Sequence, residues 1–230
     1  MELKRSAGRG IVTMRKTGLF IAALVSAALA PSVTSAQKLR DFEDSWFWGV
    51  KAGVSTYAPT FGESQSTATY GAEWLITRTR GGLYLSADEA NVSATSAVLD
   101  PTADGGFRSV RVRKLRRIGF AALAFPWKFG RVRPYAGLGL MLNVIGNADP
   151  VSSASERSVD AAVFQRIDDR RSQAALLGMA GAQMQFHKLA IFGQASVAPS
   201  SANFLLNNGA LGFFEGGIRY NFGGAREGLH

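Results

Sequence analysis

The sequence predicts an all-β fold, an eight-stranded antiparallel up-and-down transmembrane β-barrel. Three observations predict it. Apolar and polar residues alternate over short stretches, which is the period of a strand and not of a helix. The connections between these stretches alternate between long and short. After residue 36, no apolar run approaches the ~20 residues that a membrane-spanning helix needs.

Eight alternating stretches follow one another along the chain, separated by segments rich in glycine, proline and polar residues. They predict strands at 46–57, 67–77, 83–92, 108–127, 132–145, 172–186, 189–198 and 211–222. A single barrel domain therefore occupies residues 37–230, with strands between 46 and 222 and a short tail at 223–230.

The connections alternate in length. Four are long and polar: 58–67, 93–106, 146–171 and 199–209. Three are tight: 78–82, 128–133 and 187–188. In an antiparallel meander, alternate connections lie at opposite ends of the strands. Long loops at one end and tight turns at the other are typical of outer-membrane barrels.

The two faces of each stretch differ in polarity. In the last stretch, Phe214, Ile218, Tyr220 and Phe222 share one face, and the other face is polar. In a transmembrane barrel the apolar face meets lipid and the polar face fills the lumen. Such charges must pair with one another or keep water. The predicted lumen polar network is Lys51, Glu73, Arg111, Arg113, Gln183, Gln194, Glu215 and Arg219.

Aromatic residues near the strand ends suggest the two girdles that flank a bilayer. The candidates are Trp46, Trp48, Tyr57, Trp127, Tyr135, Tyr220 and Phe222. The same alternation also fits a soluble periplasmic protein, either lipocalin-like or a sandwich, whose apolar face packs inward. That alternative stays open on the sequence alone.

The N-terminus has the layout of a secretory signal peptide at 1–36. Basic residues precede a 12-residue apolar run at 19–30, and small residues precede a cleavage site between Ala36 and Gln37. Either Met1 or Met14 serves as the start. The segment holds five basic residues and one acidic residue, so its removal lowers the net charge from +9 to +5. The remaining balance does not argue for nucleic acid. With no cysteine, packing and backbone pairing must hold the fold together.

Together with the signal peptide, the motifs WFWGVKAGV, RPYAGLGLML and FFEGGIRYNF resemble the small eight-stranded outer-membrane barrels, a family that includes the transmembrane domain of outer membrane protein A. The resemblance implies that the barrel-assembly machinery reads the last strand. By position, that assembly signal falls on Phe214, Ile218, Tyr220 and Phe222. The family usually ends at the terminal aromatic residue, whereas GGAREGLH follows here.

The sequence nominates no catalytic residue, cofactor or metal site. Some outer-membrane barrels are lipid A deacylases with a His-Ser pair and a carboxylate. Here His187 lies in a predicted turn and His230 ends the chain, and neither is followed by a serine at the deacylase spacing. With no cysteine and two separated histidines, a His/Cys metal site is not expected.

The basic stretch at 108–117 lacks the aromatic interleaving of a nucleic-acid site. As a strand, its cations would pair with carboxylates inside the barrel or bind lipopolysaccharide phosphates outside. The alternation slips near 114–117, which indicates a β-bulge.

These observations predict a non-enzymatic protein of the outer membrane of a diderm bacterium. Its role would be structural, or one of surface interaction through four extracellular loops. The expected partners are outer-membrane lipid, lipopolysaccharide and the barrel-assembly machinery. A small-solute channel, a soluble carrier of apolar ligands and a lipid-modifying enzyme remain alternatives. An eight-stranded barrel is just filled by its own side chains, which argues against a wide pore.

Overall fold

The computed structural model describes residues 44–60, 63–151, 161–206 and 208–224. The predicted signal peptide, its cleavage site between Ala36 and Gln37, and the tail from residue 225 lie outside the described residues. Within them, no helix is long and apolar enough to cross a membrane.

The described residues form nine β-strands and one α-helix. They are β1 (Ser45–Tyr57), β2 (Gln65–Thr77), β3 (Gly81–Ala90), β4 (Ala94–Leu99), β5 (Phe107–Ala124), β6 (Val132–Pro150), α1 (Ala161–Asp169), β7 (Ser172–Phe186), β8 (Leu189–Pro199) and β9 (Ala210–Gly224). A single 3₁₀ turn at Asp104–Gly106 precedes β5.

The strands close into one antiparallel sheet. Its order is β3-β2-β1-β9-β8-β7-β6-β5, and β5 also pairs with β3. Strands β3 and β4 pair one after the other with the same strand, β5: Ala90 pairs with Leu115, and Ala94 pairs with Val112. The ring therefore has eight positions, with β3 and β4 as the two halves of the third. The predicted eight-stranded antiparallel barrel is confirmed.

The prediction of a loop at 93–106 is wrong over its first half, because β4 lies there. The small residues of this segment have little strand propensity of their own. Pairing with β5 overrides that weakness, and Ala94, Ser96 and Val98 continue the buried face of β3. Strand β6 also runs five residues beyond its predicted end, to Pro150.

The outer wall is apolar around the middle of the barrel. Large side chains exposed there include Val50, Leu85, Ile118, Phe120, Leu138, Leu140, Leu176, Ile191, Phe214 and Ile218. Buried and exposed residues alternate along these strands, so the residues between the exposed side chains point into the barrel. A closed ring with an apolar outer wall satisfies its backbone in lipid, because it has no unpaired sheet edge there.

The wall has two ends. The tight turns 78–80, 125–131 and 187–188 lie at one, which we call the short-turn end, together with the first residues of β1 and the last of β9. The connections after β1, β4, β6 and β8 lie at the other, the long-loop end.

The seam between the first and last strands depends on a glycine. A Cβ at Gly53 would overlap the carbonyl oxygen of Phe214 on β9. We therefore expect Gly53→Ala to lower the yield of closed barrel. The measurement is the fraction of fast-migrating protein in unboiled SDS gels, relative to boiled samples.

Gly193→Ala is the matched control, since an added Cβ there meets nothing within 4 Å. Equal amounts of the fast-migrating form in the two variants would contradict the role of Gly53 at the seam.

Candidate functional site

The barrel interior contains a network of charged side chains. Three cations and three carboxylates point inward from five different strands, and each is buried. With the tyrosines and amides that join them, they form what we call the lumen network: Lys51, Glu73, Tyr84, Asp88, Arg117, Tyr135, Gln183, Gln194, Glu215 and Arg219.

One half of the network is built around Arg219 of β9, which is fully buried. Its guanidinium forms an ion pair with Glu73 of β2 and donates to the side-chain oxygen of Gln183 on β7. The same guanidinium lies 3.8 Å from the ring centroid of Phe192. The hydroxyl of Tyr84 donates to the other Glu73 oxygen at 3.1 Å. The charge of Arg219 is thus neutralised inside the protein.

The other half joins two cations to two carboxylates. The Lys51 ammonium lies 2.9 Å from a Glu215 oxygen and 3.0 Å from an Asp88 oxygen. The Arg117 guanidinium contacts the same two carboxylates, 2.7 Å from Asp88. It also lies 3.7 Å from the ring centroid of Phe213. Each carboxylate is shared between two cations, so none of the four charges is left uncompensated.

Gln194 connects the two halves. Its amide nitrogen donates to the Tyr84 hydroxyl at 3.0 Å and to Glu215 at 3.1 Å. Its amide oxygen accepts from the Tyr135 hydroxyl at 2.9 Å. With this link the network is continuous across the lumen, and each of the eight barrel positions contributes a side chain.

Six of the eight residues predicted for the lumen lie in this network: Lys51, Glu73, Gln183, Gln194, Glu215 and Arg219. The placement of Arg111 and Arg113 inside the barrel is wrong. Both point outward near the long-loop end, and Arg113 forms an exposed ion pair with Asp149 at 3.2 Å.

The error has a physical cause. Beyond the apolar belt of the outer wall, the strand is no longer surrounded by hydrocarbon, so the polarity of its two faces reverses. Val110 and Val112 are buried there, and the arginines between them are exposed. Register irregularities between Val112 and Leu115 then shift the inward face by one residue. After that shift Arg117 points inward, although the alternation before the bulge places it outside.

Two predicted girdle residues also lie inside. The hydroxyl of Tyr57 accepts from the Ser93 backbone N–H at 3.1 Å, and Tyr135 belongs to the lumen network. The other candidates are exposed near the short-turn end. Trp46 and Trp48 both contact Trp74, with ring centroids 5.4 and 6.0 Å away.

The predicted assembly-signal residues lie together on the outer face of β9. Phe214, Ile218, Tyr220 and Phe222 are all exposed, and the last two rings are 4.9 Å apart. The strand ends at Gly224, two residues beyond the terminal aromatic.

Apolar side chains fill the interior between the lumen network and the long-loop end. Leu115, Met141, Ile145, Leu177 and Phe213 are buried there. Within the described residues, the internal void beside Lys51 and Arg117 measures only about 10 Å³. That is the scale of one water molecule, so the lumen is filled beside these two side chains.

The four long connections pack together into what we call the loop cap: 58–60, 98–108, 161–171 and 200–206. Val98, Val163, Ile167, Phe204, Leu205 and Leu206 form its buried apolar core. The backbone N–H of Leu205 donates to the Arg170 carbonyl at 3.2 Å. The hydroxyl of Thr60 donates to the Leu205 carbonyl at 3.4 Å. Contacts between different connections therefore order the cap.

A buried ion pair fixes one side of the loop cap. The guanidinium of Arg108 donates to the Asp100 carboxylate, and both side chains are almost fully buried. Thr102 donates to the same carboxylate through its backbone N–H and its hydroxyl, at 2.9 and 2.7 Å. Arg108 and Thr102 together lower the pKa of the Asp100 carboxyl to about 2.

No protein-family model matches the chain, and no curated protein matches its sequence. Solved structures do match. Neisserial surface protein A is 14% identical, with a TM-score of 0.53 over 77% of this chain and 97% of that chain. Ail, the attachment invasion locus protein of Yersinia pestis, is 13% identical, with a TM-score of 0.48 over 78% and 99%.

At these identities the likeness concerns the fold, which is that of small outer-membrane barrels. The outer surface of the chain agrees with it, because a closed barrel with an apolar wall is suited to lipid and not to water. Fold and wall together are those of a barrel that spans a membrane.

The lumen network makes a prediction about stability. Arg219→Met leaves the Glu73 carboxylate buried without its cation, so we expect the free energy of unfolding to fall by about 3–5 kcal/mol. Pairing Arg219→Met with Glu73→Leu should restore most of the loss, because no uncompensated charge then remains. Urea unfolding in lipid vesicles, followed by tryptophan fluorescence, measures both.

Arg78→Met is the matched control. Arg78 forms an exposed ion pair with Asp44 at 2.9 Å, and such pairs contribute less than about 1 kcal/mol. If Arg219→Met and Arg78→Met cost the same, the lumen network does not stabilise the barrel as argued.

The loop cap makes a prediction about pH. The folded pKa of Asp100 lies below its ordinary value of 3.8, so the carboxylate stabilises the cap above about pH 4. This stabilisation is lost as the pH falls through about 2. Pepsin cleavage near Phe107, normalised to an unstructured peptide, should therefore rise between pH 4 and pH 2.

Asp100→Asn removes the titrating group, so its normalised cleavage should be high and nearly constant over the same range. An identical pH profile in the wild type and this variant would exclude Asp100 as the group responsible.

Proposed function

We propose that the chain is a non-enzymatic outer-membrane protein that binds extracellular partners through the loop cap. The observation that carries this proposal is the order of the cap. Its buried core draws on three long connections and its hydrogen bonds reach the fourth, whereas loops that serve only to link strands need no common core.

The cap displays apolar side chains to solvent. Leu99 and Phe107 are cross-strand neighbours at the tip of β4 and β5, and both are about half exposed. Phe164 of α1 is exposed to the same extent. The helix lies beside β4, since Arg166 donates to the Leu99 carbonyl at 2.7 Å. Because these side chains lie beyond the apolar belt, lipid does not cover them, and they fit contact with a partner.

The orientation in the membrane follows from loop length. Outer-membrane barrels carry short turns on the periplasmic side and long loops outside. We therefore assign the loop cap to the exterior and both ends of the barrel domain to the periplasm.

The interior supports this function over the alternatives. A channel needs a continuous path, but the lumen network and the apolar layer above it fill the lumen. A carrier of apolar ligands needs an apolar internal cavity, whereas the void beside Lys51 and Arg117 is the size of one water and is lined in part by charged groups. The charged groups of the lumen network pair with one another and are buried, which disfavours catalysis.

The outer face of β9 supports a further part of the proposal. Its exposed apolar and aromatic residues, Phe214, Ile218, Tyr220 and Phe222, form the surface that the barrel-assembly machinery would read during insertion. The machinery must then accept a signal that is followed by a C-terminal tail.

The experiment tests orientation first. An epitope inserted at Gly105, in the long connection before β5, should be labelled by antibody on intact cells. The same epitope between His187 and Lys188, in a tight turn, should be labelled only after the outer membrane is permeabilised. The reverse result would overturn the assignment of the cap to the exterior.

The second arm tests binding. Purified protein in lipid nanodiscs is applied to an array of extracellular-matrix proteins and glycans. We expect at least one ligand to bind the wild type, and a Leu99→Ser, Phe107→Ser, Phe164→Ser variant to lose about tenfold in affinity, because each change removes exposed apolar contact area.

The matched control is Leu138→Ser, Leu140→Ser, Leu176→Ser on the lipid-facing wall. This variant must itself show the heat-dependent gel shift of a closed barrel. It should bind the array ligand like the wild type. Array binding no greater than that of empty nanodiscs would contradict a surface-interaction role.

A further inference from the structure

Four cations lie close together on the outer surface of β5. The side chains of Arg113, Lys114 and Arg116 are 56%, 42% and 62% exposed, and Arg111 is exposed two residues before Arg113. We call these four residues the basic band. Arg111 and Arg113 were expected to lie in the lumen, and the structure instead places all four cations outside the barrel.

The β-bulge concentrates the band. In a regular strand, Arg113 and Lys114 would point to opposite faces. Register irregularities between Val112 and Leu115 leave both on the outer side, while Val112 and Leu115 are both buried. The bulge therefore adds Lys114 to a surface that already holds three arginines.

The band begins where the apolar belt ends. Ile118 and its cross-strand neighbour Leu142 belong to the exposed apolar wall. Arg116 is the next outward residue along β5, about 7 Å further on. At that height a bilayer changes from acyl chains to headgroups, so the guanidinium lies at the level of lipid phosphates.

Two carboxylates lie within the band, and both are already in contact with its cations. Glu89 accepts from Lys114 at 3.2 Å and from Arg116 at 3.0 Å, and Asp149 lies 3.2 Å from Arg113. Exposed ion pairs of this kind are weak. Four cations and two carboxylates leave a net positive charge. The cations can exchange these weak ion pairs for contacts with a phosphate at little cost in free energy.

On the described strands, the exposed cations of the long-loop end lie on one side of the barrel. On the strands of the other side, the outward residues at this end are uncharged: Thr56 of β1, Ala68 of β2, Ser172 of β7, Pro199 of β8 and Ala210 of β9. A uniform attraction to anionic headgroups would need no such asymmetry. One localised patch instead fits one headgroup with several phosphates.

We infer that the basic band binds the two phosphates of lipid A, the base of lipopolysaccharide, on the β3–β5–β6 side of the barrel. Arginine forms bidentate hydrogen bonds to phosphate, and a headgroup with two phosphates engages several cations at once. A zwitterionic phospholipid offers one phosphate, already balanced by its own amine. The inference rests on the proposed orientation, because the long-loop end must lie in the outer leaflet.

The test compares two variants with the same change of charge. Arg111→Gln, Arg113→Gln, Lys114→Gln, Arg116→Gln neutralises the band. Arg78→Gln, Arg80→Gln, Arg131→Gln, Lys188→Gln neutralises four exposed cations at the short-turn end and is the matched control. Both must show the heat-dependent gel shift of a closed barrel. The probes are bis-phosphorylated lipid A, dephosphorylated lipid A and phosphatidylglycerol, titrated in detergent and followed by native mass spectrometry.

We expect the wild type and the control to bind bis-phosphorylated lipid A about tenfold more tightly than the dephosphorylated form. The band variant should lose that preference, and added salt should reduce it in the wild type. Equal affinity of the band and control variants would overturn the inference, as would phosphatidylglycerol binding as tightly as lipid A.

The epitope labelling described above separates this inference from the proposed function. Phosphate-dependent binding with the cap facing the periplasm would refute the outer-leaflet assignment and leave the phosphate site standing. Surface labelling of the cap without phosphate-dependent binding would refute the phosphate site alone.

Discussion

The rest of the structure depends on the mutual neutralisation of charge inside the barrel. Lys51, Arg117 and Arg219 have left water, and each would be costly to bury alone. They are tolerated because Glu73, Asp88 and Glu215 lie within ion-pair distance, and because Tyr84 and Gln194 add hydrogen bonds to Lys51, Glu73 and Glu215. Because Glu215 and Arg219 lie on the last strand and their partners Lys51 and Glu73 lie on the first two, these pairs meet only when the ring is complete.

Alternation of polarity predicts most of this architecture, because a strand in a lipid-facing wall must separate its faces residue by residue. Phe214, Glu215, Ile218 and Arg219 are assigned correctly on that basis. The rule fails where its physical premise fails. Arg111 and Arg113 lie beyond the apolar part of the outer wall, where the exposed face is the polar one. Strand β4 has weak local propensity and exists through pairing with β5, which the sequence of 94–99 alone does not reveal. The bulge before Leu115 is visible in the sequence as a slip of period, but its effect on Arg117 is not.

Strand β5 passes through three environments in turn. Phe120 and Ile118 belong to the apolar wall, the basic band follows, and Phe107 ends the strand on an exposed apolar tip. On the opposite face the order is different, since Arg117 lies in the lumen network, Val110 and Val112 are apolar, and Arg108 is paired with Asp100. One strand thus passes through the barrel wall, the lipid boundary and the loop cap. The bulge between Val112 and Leu115 changes which of its residues point inward.

The position of the seam has a kinetic consequence. Two of the ion pairs, Lys51 with Glu215 and Glu73 with Arg219, join the first two strands to the last. Parting β1 from β9 within a bilayer would therefore expose four charges to hydrocarbon at the same moment that it frees two rows of backbone groups. We therefore expect the last strand pairing, between β1 and β9, to be the step of insertion that is hardest to reverse within the membrane.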